Sequence, residues 1–400
     1  MRHLAIFIHD FSATGVVRNA LAIAAHMAAR EGWRVTLVTA RAEGVLLAAA
    51  EASGAGIVAL IAADAPKSSR RADMIRCILL LRAWLNQARP DGLLSAGNHG
   101  HRTVWAATRF MGTPRRIYRI SNDLKRRDGG ASLKARLRQA VHWGLNRDAW
   151  RVALVSPRLA QGGVYGRAVR TGRARIIRNG VDIARVRELA AAALDHPAFS
   201  GDMPVVLGVG RLVKQKNFGA LIAAVARARQ VRPIRLVLLG DGDAEARAAL
   251  RARGDALGLG DALVLIPGCD NPFAYMARAD VVALSSVWEG APNVLLEAMA
   301  CNTPVVAARS AGNAAEILDQ GRFGALADPD DPQAFAQALL DQADPGRRVL
   351  PGDRAQAFSL ETTLAAYEEM FDALPFQQTA RGATHRAVKG FIRGIWPRGA

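Results

Sequence analysis

The chain has 400 residues, half of them hydrophobic, and a formal net charge of +18. That length is more than one hydrophobic core ordinarily holds, so two domains are expected. No run approaches the roughly eighteen apolar residues of a membrane span, and the three cysteines, Cys77, Cys269 and Cys301, are odd in number, far apart and without metal-ligand spacing, which fits a reducing cytoplasm rather than a disulfide framework or a metal cluster.

Residues 4–8 form a short apolar run that reads as a first strand, with no signal-peptide core or small-residue cleavage site behind it. A cytoplasmic protein, soluble or peripheral at the inner face of the cell membrane, is the expectation. Ser12-Ala13-Thr14-Gly15-Val16 then joins this strand to an alanine-rich helix over 17–30, and its backbone N–H groups are placed to face an anion. Further strands are expected at 35–39, 57–61, 92–95, 116–120 and 152–155. The fourth of the six strands in this half leads into Ser95-Ala96-Gly97-Asn98-His99-Gly100-His101. Two histidines flanked by glycines at a strand's carboxyl end suit a site better than a core, and without a third ligand they do not make a metal centre.

The charge is uneven. Residues 1–200 hold 32 basic and 13 acidic side chains, so the whole excess lies in the first half, and it is densest from Arg109 to Arg178, which includes Lys125, Arg126, Arg127, Lys134, Arg136 and Arg138. A solvated basic face, an attraction to anionic lipid or a lipid-diphosphate acceptor, and nucleic-acid binding all accommodate this. Clustered cations gain about 1 kcal/mol each at an anionic membrane, and aromatic interleaving is sparse, so the membrane reading is favoured and nucleic acid is not expected.

A linker is expected over 190–204, around His196-Pro197 and Gly201-Asp202. Strands follow at 205–209, 236–239, 263–266, 281–284 and 305–308. The alternation of strands with helical segments in both halves predicts two doubly wound parallel sheets, that is, two Rossmann-like α/β domains. Gly208-Val209-Gly210-Arg211-Leu212-Val213-Lys214-Gln215-Lys216 ends the first of these strands with glycines that permit close approach. Arg211 offers a planar fork for phosphate oxygens and Lys216 a point charge. Gly240-Asp241-Gly242-Asp243 looks like an acidic metal pair but is read as a loop. After strand 281–284, a turn containing Gly290 and Pro292 opens a helix. Glu289 is expected in the loop and Glu297 about two turns into the helix, where turn and helix-terminal amides suit an anion and two carboxylates can hold the hydroxyls of a sugar and of a ribose. The tail, 379–400, has five basic and no acidic residues, and reads either as a disordered end or as a short amphipathic helix on lipid.

The string Glu289-Gly290-Ala291-Pro292-Asn293-Val294-Leu295-Leu296-Glu297-Ala298-Met299-Ala300, continued by Cys301-Asn302-Thr303-Pro304-Val305-Val306-Ala307, resembles the donor-site signature of the retaining glycosyltransferase family 4, whose architecture is called GT-B. Arg211 and Lys216 match that family's G-R-x-x-x-x-K element, and Asn179-Gly180-Val181-Asp182 its N-G-V-D element. The loop at Thr14-Gly15 departs from it, because Val16-Val17-Arg18 stand where an adjacent glycine and an acidic residue are usual.

The resemblance implies two Rossmann-like domains facing across a cleft. Residues 1–190 would be the acceptor domain, with a C-terminal helix in 360–400 completing it, and 200–358 the nucleotide-sugar donor domain. It implies a retaining hexosyltransferase that moves a sugar from a nucleotide-diphosphate sugar to a saccharide or lipid-linked acceptor in surface polysaccharide or lipopolysaccharide synthesis, with no cofactor and no metal. Arg211 and Lys216 would hold the diphosphate, Glu289 the sugar hydroxyls and Glu297 the ribose. Gly15, Gly210, Gly290, Asn293 and Val294 would line the donor, and His99, in preference to His101, would contact its sugar. The competing readings are a nucleotide-sugar epimerase of the same two-domain layout and a basic nucleic-acid-binding protein. A nicotinamide dehydrogenase is disfavoured, since no G-x-G-x-x-G follows the first strand.

Overall fold

The computed structural model describes residues 1–121, 133–161 and 163–375. Seven parallel strands, β1 (Arg2–Ile8), β2 (Trp33–Thr39), β3 (Gly56–Ala59), β4 (Gly92–Ser95), β5 (Arg115–Ile120), β6 (Arg151–Leu154) and β7 (Ala174–Ile176), form a sheet in the order β3-β2-β1-β4-β5-β6-β7. The helices of this half are α1 (Gly15–Ala28), α2 (Leu47–Glu51), α3 (Arg70–Ala88), α4 (His101–Ala107), α5 (Leu133–Asp148) and α6 (Gly163–Arg170). A central strand of a parallel sheet is covered on both faces, which is why β1 is apolar without alternation from residue 4 to residue 8. Its Leu4 and Ile6 pack toward α1, and its Ala5 and Phe7 toward α3 and α4.

After α7 (Ile183–Ala190), six parallel strands, β8 (Val205–Val209), β9 (Arg235–Leu239), β10 (Leu263–Ile266), β11 (Val281–Leu284), β12 (Val305–Ala308) and β13 (Ala325–Ala327), take the order β10-β9-β8-β11-β12-β13. Between and after them lie α8 (Phe218–Ala228), α9 (Ala244–Ala256), α10 (Phe273–Arg278), α11 (Asn293–Ala300), α12 (Ala314–Ile317), α13 (Pro332–Ala343) and α14 (Leu360–Asp372). In each sheet the order reverses beside the first strand, at β1/β4 and β8/β11, so crevices open there at the carboxyl ends of the strands.

The strands β7 and β13 have no counterpart among the expected ones. Each is three residues long, Ala-Arg-Ile and Ala-Leu-Ala, too short and too poor in β-branched side chains to give a strand signal. The linker expected over 190–204 is not where the chain passes between sheets. Val181, Ile183 and Val186 already belong to the second core, and the passage occurs beside Asn179 and Gly180. There the two crossings of the chain are tied together: Val181 N–H donates to the Phe358 carbonyl at 2.9 Å, and Leu360 N–H to that of Val181 at 3.0 Å. Beyond this seam α14 returns to the first sheet, where Tyr367, Met370, Phe371 and Leu374 pack with α1 in the core. Lys125, Arg126, Arg127 and the tail 379–400 lie outside the described residues, as do the side chains of Lys134, Arg136 and Arg138.

Candidate active site

The crevice of the second domain is built by the loops after β8 and β11. Gly210 has φ +142°, and the neighbouring loop passes so close that a Cβ on Gly240 would lie 1.9 Å from the Gly210 carbonyl oxygen. Only glycine fits at that crossing. It sets the direction of the segment that ends in the 3-10 turn at Lys214–Lys216. Lys216 Nζ donates to Glu289 Oε1 at 2.8 Å, Ser286 Oγ donates to the same oxygen at 2.9 Å, and Gln215 Nε2 reaches Oε2 at 3.3 Å. Ser285 Oγ donates to the Lys216 carbonyl at 2.8 Å and Val287 N–H to that of Gln215 at 3.0 Å. The two loops are therefore stitched together, and the lysine and glutamate side chains are only 16% and 12% exposed. Arg211 is exposed beside them. The acidic pair in the adjoining loop has other duties: Asp243 caps α9, accepting from Ala246 N–H at 2.7 Å, and Asp241 accepts from Gly268 N–H at 2.9 Å.

Helix α11 begins at Asn293, directly after Pro292, so Glu297 sits about one turn into the helix and not two. The helix starts later than expected because Pro292, at ψ 96°, is still extended and stands as the N-cap. Burial raises the Glu297 carboxyl pKa, while Arg18 and Lys216 pull it down. Arg18 Nη1, reaching across from α1, stands 3.9 Å from Glu297 Oε1. Gly290 is buried, and the loop after β12 closes over it. Ser310 Oγ donates to the Ser286 carbonyl at 3.2 Å, and Arg158 of the first half donates to the Gly312 carbonyl at 2.9 Å.

The opposing wall comes from the first domain. Thr14 caps α1, its Oγ1 accepting from Val17 N–H at 3.3 Å, and a Cβ on Gly15 would lie 2.7 Å from Asn293 Nδ2. The N-termini of α1 and α11 thus meet, which brings the positive ends of two helix dipoles together. Val294 follows Asn293, partly buried. His99 is exposed on the turn after β4, whereas His101 is not a site residue. It is 1% exposed, its Nδ1 bonds Ser95 Oγ at 2.7 Å, and burial drives its pKa down to about 3. The glycine-flanked motif misleads there because α4 begins at His101 and turns its side chain into the core.

Among the expected site residues the structure brings Lys216 to Glu289, Gly210 to Lys216 and Gly15 to Asn293, while Arg211, Gly290, Val294 and Glu297 lie on the same loops and helix. Sequence reasoning missed Gln215 and Ser286, which hold Glu289, and Arg18, which faces Glu297. It also missed a buried chain in which Arg119 Nη2 donates to Asn179 Oδ1 at 2.6 Å and Asn179 Nδ2 to Asn293 Oδ1 at 2.7 Å. Asn179 stood within a recognised motif; Arg119 carried no signal.

Residues 13–185 match the family model described as Glycosyltransferase Family 4, and residues 203–344 match Glycosyl transferases group 1. The lipopolysaccharide core biosynthesis glycosyltransferase LpsE of Rhizobium meliloti is 35% identical over 207 residues, which cover 50% of this chain and 58% of that protein. The N-acetylgalactosamine-N,N'-diacetylbacillosaminyl-diphospho-undecaprenol 4-alpha-N-acetylgalactosaminyltransferase of Campylobacter jejuni is 34% identical over 164 residues, covering 41% of this chain and 42% of that one. The chain therefore spans about half the length of the curated relatives it matches. Among solved structures, the sucrose-phosphate synthase of Thermosynechococcus elongatus superposes with a TM-score of 0.74 at 21% identity, over 93% of this chain and 98% of that one. Anabaena HepE in complex with UDP-glucose superposes with 0.74 at 19%, over 94% and 100%. With both halves matched to these models and the same two-sheet fold throughout, the chain belongs to glycosyltransferase family 4, with the GT-B architecture.

Proposed function

We propose that the protein is a retaining transferase that moves a hexosyl group from a nucleotide-diphosphate sugar to a lipid-linked saccharide, in synthesis of lipopolysaccharide or another surface polysaccharide. The observation that carries this is the convergence of Lys216, Glu289, Glu297 and the facing N-termini of α1 and α11 on one cleft. Arg211, Lys216 and the amides from Gly290 to Asn293 take the diphosphate, Glu297 the ribose and Glu289 the sugar hydroxyls. Gly15 and Gly210 allow the close backbone approach, Val294 lines the donor, and His99 contacts its sugar. The domain completed by α14 receives the acceptor.

Transfer follows from these roles. The acceptor oxygen bonds to the anomeric carbon from the face that the diphosphate leaves, as the carbon–oxygen bond to the phosphate breaks, and the acceptor proton passes to the departing phosphate oxygen. Negative charge grows on that oxygen, so Arg211 and Lys216 stabilise the transition state more than the bound donor and lower the barrier. Glu289 holds Lys216 in the free protein; arrival of the diphosphate draws the lysine away and frees Glu289 Oε1 for a sugar hydroxyl.

The acceptor's lipid is met at the inner face of the cell membrane, where the basic first half docks on anionic headgroups. From 65 to 121 the acidic residues are Asp73 and Asp91, both buried, while Ile75, Leu79 and Phe110 are exposed, Phe110 at 93%, with the Arg109 guanidinium 5.1 Å from its ring centre. No helix among the described residues is long and apolar enough to cross a membrane. Incubation with UDP-, GDP-, ADP- and dTDP-sugars and a lipid-linked saccharide extract, read by product mass, tests the assignment. A mass gain of one hexosyl unit from one donor class supports it, and no gain from any of them refutes it.

A further inference from the structure

We propose that Arg119 and Asn179 are positioning residues that fix which end of the Asn293 side-chain amide faces the donor. Arg119, on β5, is 2% exposed and meets neutral acceptors: the Ala96 carbonyl at 3.4 Å and Asn179 Oδ1 at 2.6 Å. A guanidinium has donors and no acceptor, so it dictates the orientation of everything bonded in series behind it. Asn179 must turn its oxygen to Arg119 and hence its Nδ2 to Asn293, which must answer with Oδ1, at 2.7 Å. The remaining end of Asn293 is then its Nδ2, delivered to the seam between α1 and α11, where a Cβ on Gly15 would lie 2.7 Å away.

The amide N–H groups at that seam join two helix N-termini, all of the polarity that binds a phosphate oxygen. Without the buried cation an asparagine amide turns over at little cost, and its carbonyl would face the phosphate instead. Because Arg119 and Asn179 precede the passage between the sheets and Asn293 follows it, the chain is complete only while the two domains are apposed. Capture of the diphosphate and closure of the cleft are thereby coupled. This inference rests on the nucleotide-sugar reading of the cleft and goes beyond it in assigning a role to two residues that do not touch the donor.

Asn179→Asp is the discriminating variant. The new carboxylate accepts from Arg119 at least as well as the amide did, so the fold keeps its buried bond, yet it has no hydrogen to give Asn293. Asn293 must then donate to it and turn Oδ1 toward the phosphate. Binding of UDP, GDP, ADP and dTDP is measured by calorimetry on the full chain, alongside urea unfolding. The expected result is an unfolding midpoint at or above that of the wild type, with affinity for the preferred nucleoside diphosphate about tenfold to a hundredfold weaker, the loss of one charge-assisted bond, and an unchanged KM for the acceptor. Should that variant fail to fold, Arg119→Met and Arg119→Lys decide the matter: weakened binding in the first and recovery in the second support the relay. Equal affinity in wild type and Asn179→Asp, or in Arg119→Met and Arg119→Lys, overturns the relay and leaves the proposed function standing. A wild type that binds none of the four nucleotides removes both.

Discussion

Glu289→Gln separates two effects that a cleft mutation ordinarily confounds. Lys216 is held by Glu289 Oε1 at 2.8 Å in a pair that is neither surface-exposed nor fully buried. A charge-assisted bond of this kind is worth about 1.5–3 kcal/mol, and part of it is surrendered when the lysine moves to a diphosphate. Gln in place of Glu289 keeps a carbonyl oxygen for Ser286 and loses the charge, so the lysine is released in advance. Nucleoside diphosphate without a sugar should bind the variant as tightly as the wild type or up to about tenfold more tightly, since up to about 1.4 kcal/mol of the pairing energy is no longer spent. Sugar transfer should fall about tenfold to a hundredfold, because the charged oxygen that orients the hydroxyls is gone. Calorimetry with UDP or GDP and a turnover assay with the matching nucleotide sugar read the two quantities separately. If nucleotide binding weakens in step with turnover, Glu289 contacts the nucleotide and the division of labour drawn here is wrong.

Lys216→Ala should lower turnover about tenfold to a hundredfold with the fold retained, and wild-type rates would remove the cleft from the mechanism. Glu297→Gln should lower donor turnover by a similar factor and raise the urea midpoint, because burial disfavours its charged form and the amide relieves that cost; a lowered midpoint contradicts the electrostatics. His3, His101 and His142 have pKa values depressed by burial to about 4, 3 and 4. Their folded values lie below the unfolded value of about 6.5, so the stability they confer is present above that pH and drains away as pH falls from 6.5 toward 4. The slope reaches about 1.4 kcal/mol per pH unit for each proton, or about 4 kcal/mol for the three together; urea unfolding at pH 7 and pH 5 giving the same stability would refute this. Transfer should survive a chelator, and complete loss restored by magnesium or manganese would return Asp241 and Asp243 to the ligand list. Vesicles containing anionic phospholipid should bind the protein and release it in high salt, whereas equal binding to neutral vesicles contradicts electrostatic docking.

The central strands were legible because a parallel strand buried on both faces reads as a continuous apolar run, as residues 4–8 of β1 and all of β11 do. At the sheet edges that demand lapses, and β7 and β13 left no trace. The glutamates were legible through the string that contains them. Their partners were not, since Lys216 meets Glu289 across 73 residues and Asn179 meets Asn293 across 114. Local spacing also misplaced the start of α11, where Pro292 is still extended, and the glycines flanking both histidines gave no sign that His101, unlike His99, turns into the core. Arg119 was invisible in the opposite sense: one arginine among many in a basic stretch, distinguished only by being buried.

The most direct test of the account is the anomeric configuration of freshly formed product. Proton NMR of the transferred sugar, using the donor class found by mass, reports that configuration through the coupling of the anomeric proton, which the new glycosidic bond holds fixed. Transfer on the face vacated by the diphosphate predicts the configuration of the donor, retained in the product of the wild type and in the residual product of Glu289→Gln. An inverted product would contradict it, since attack would then come from the opposite face, where this mechanism supplies no route for the acceptor proton to the leaving phosphate.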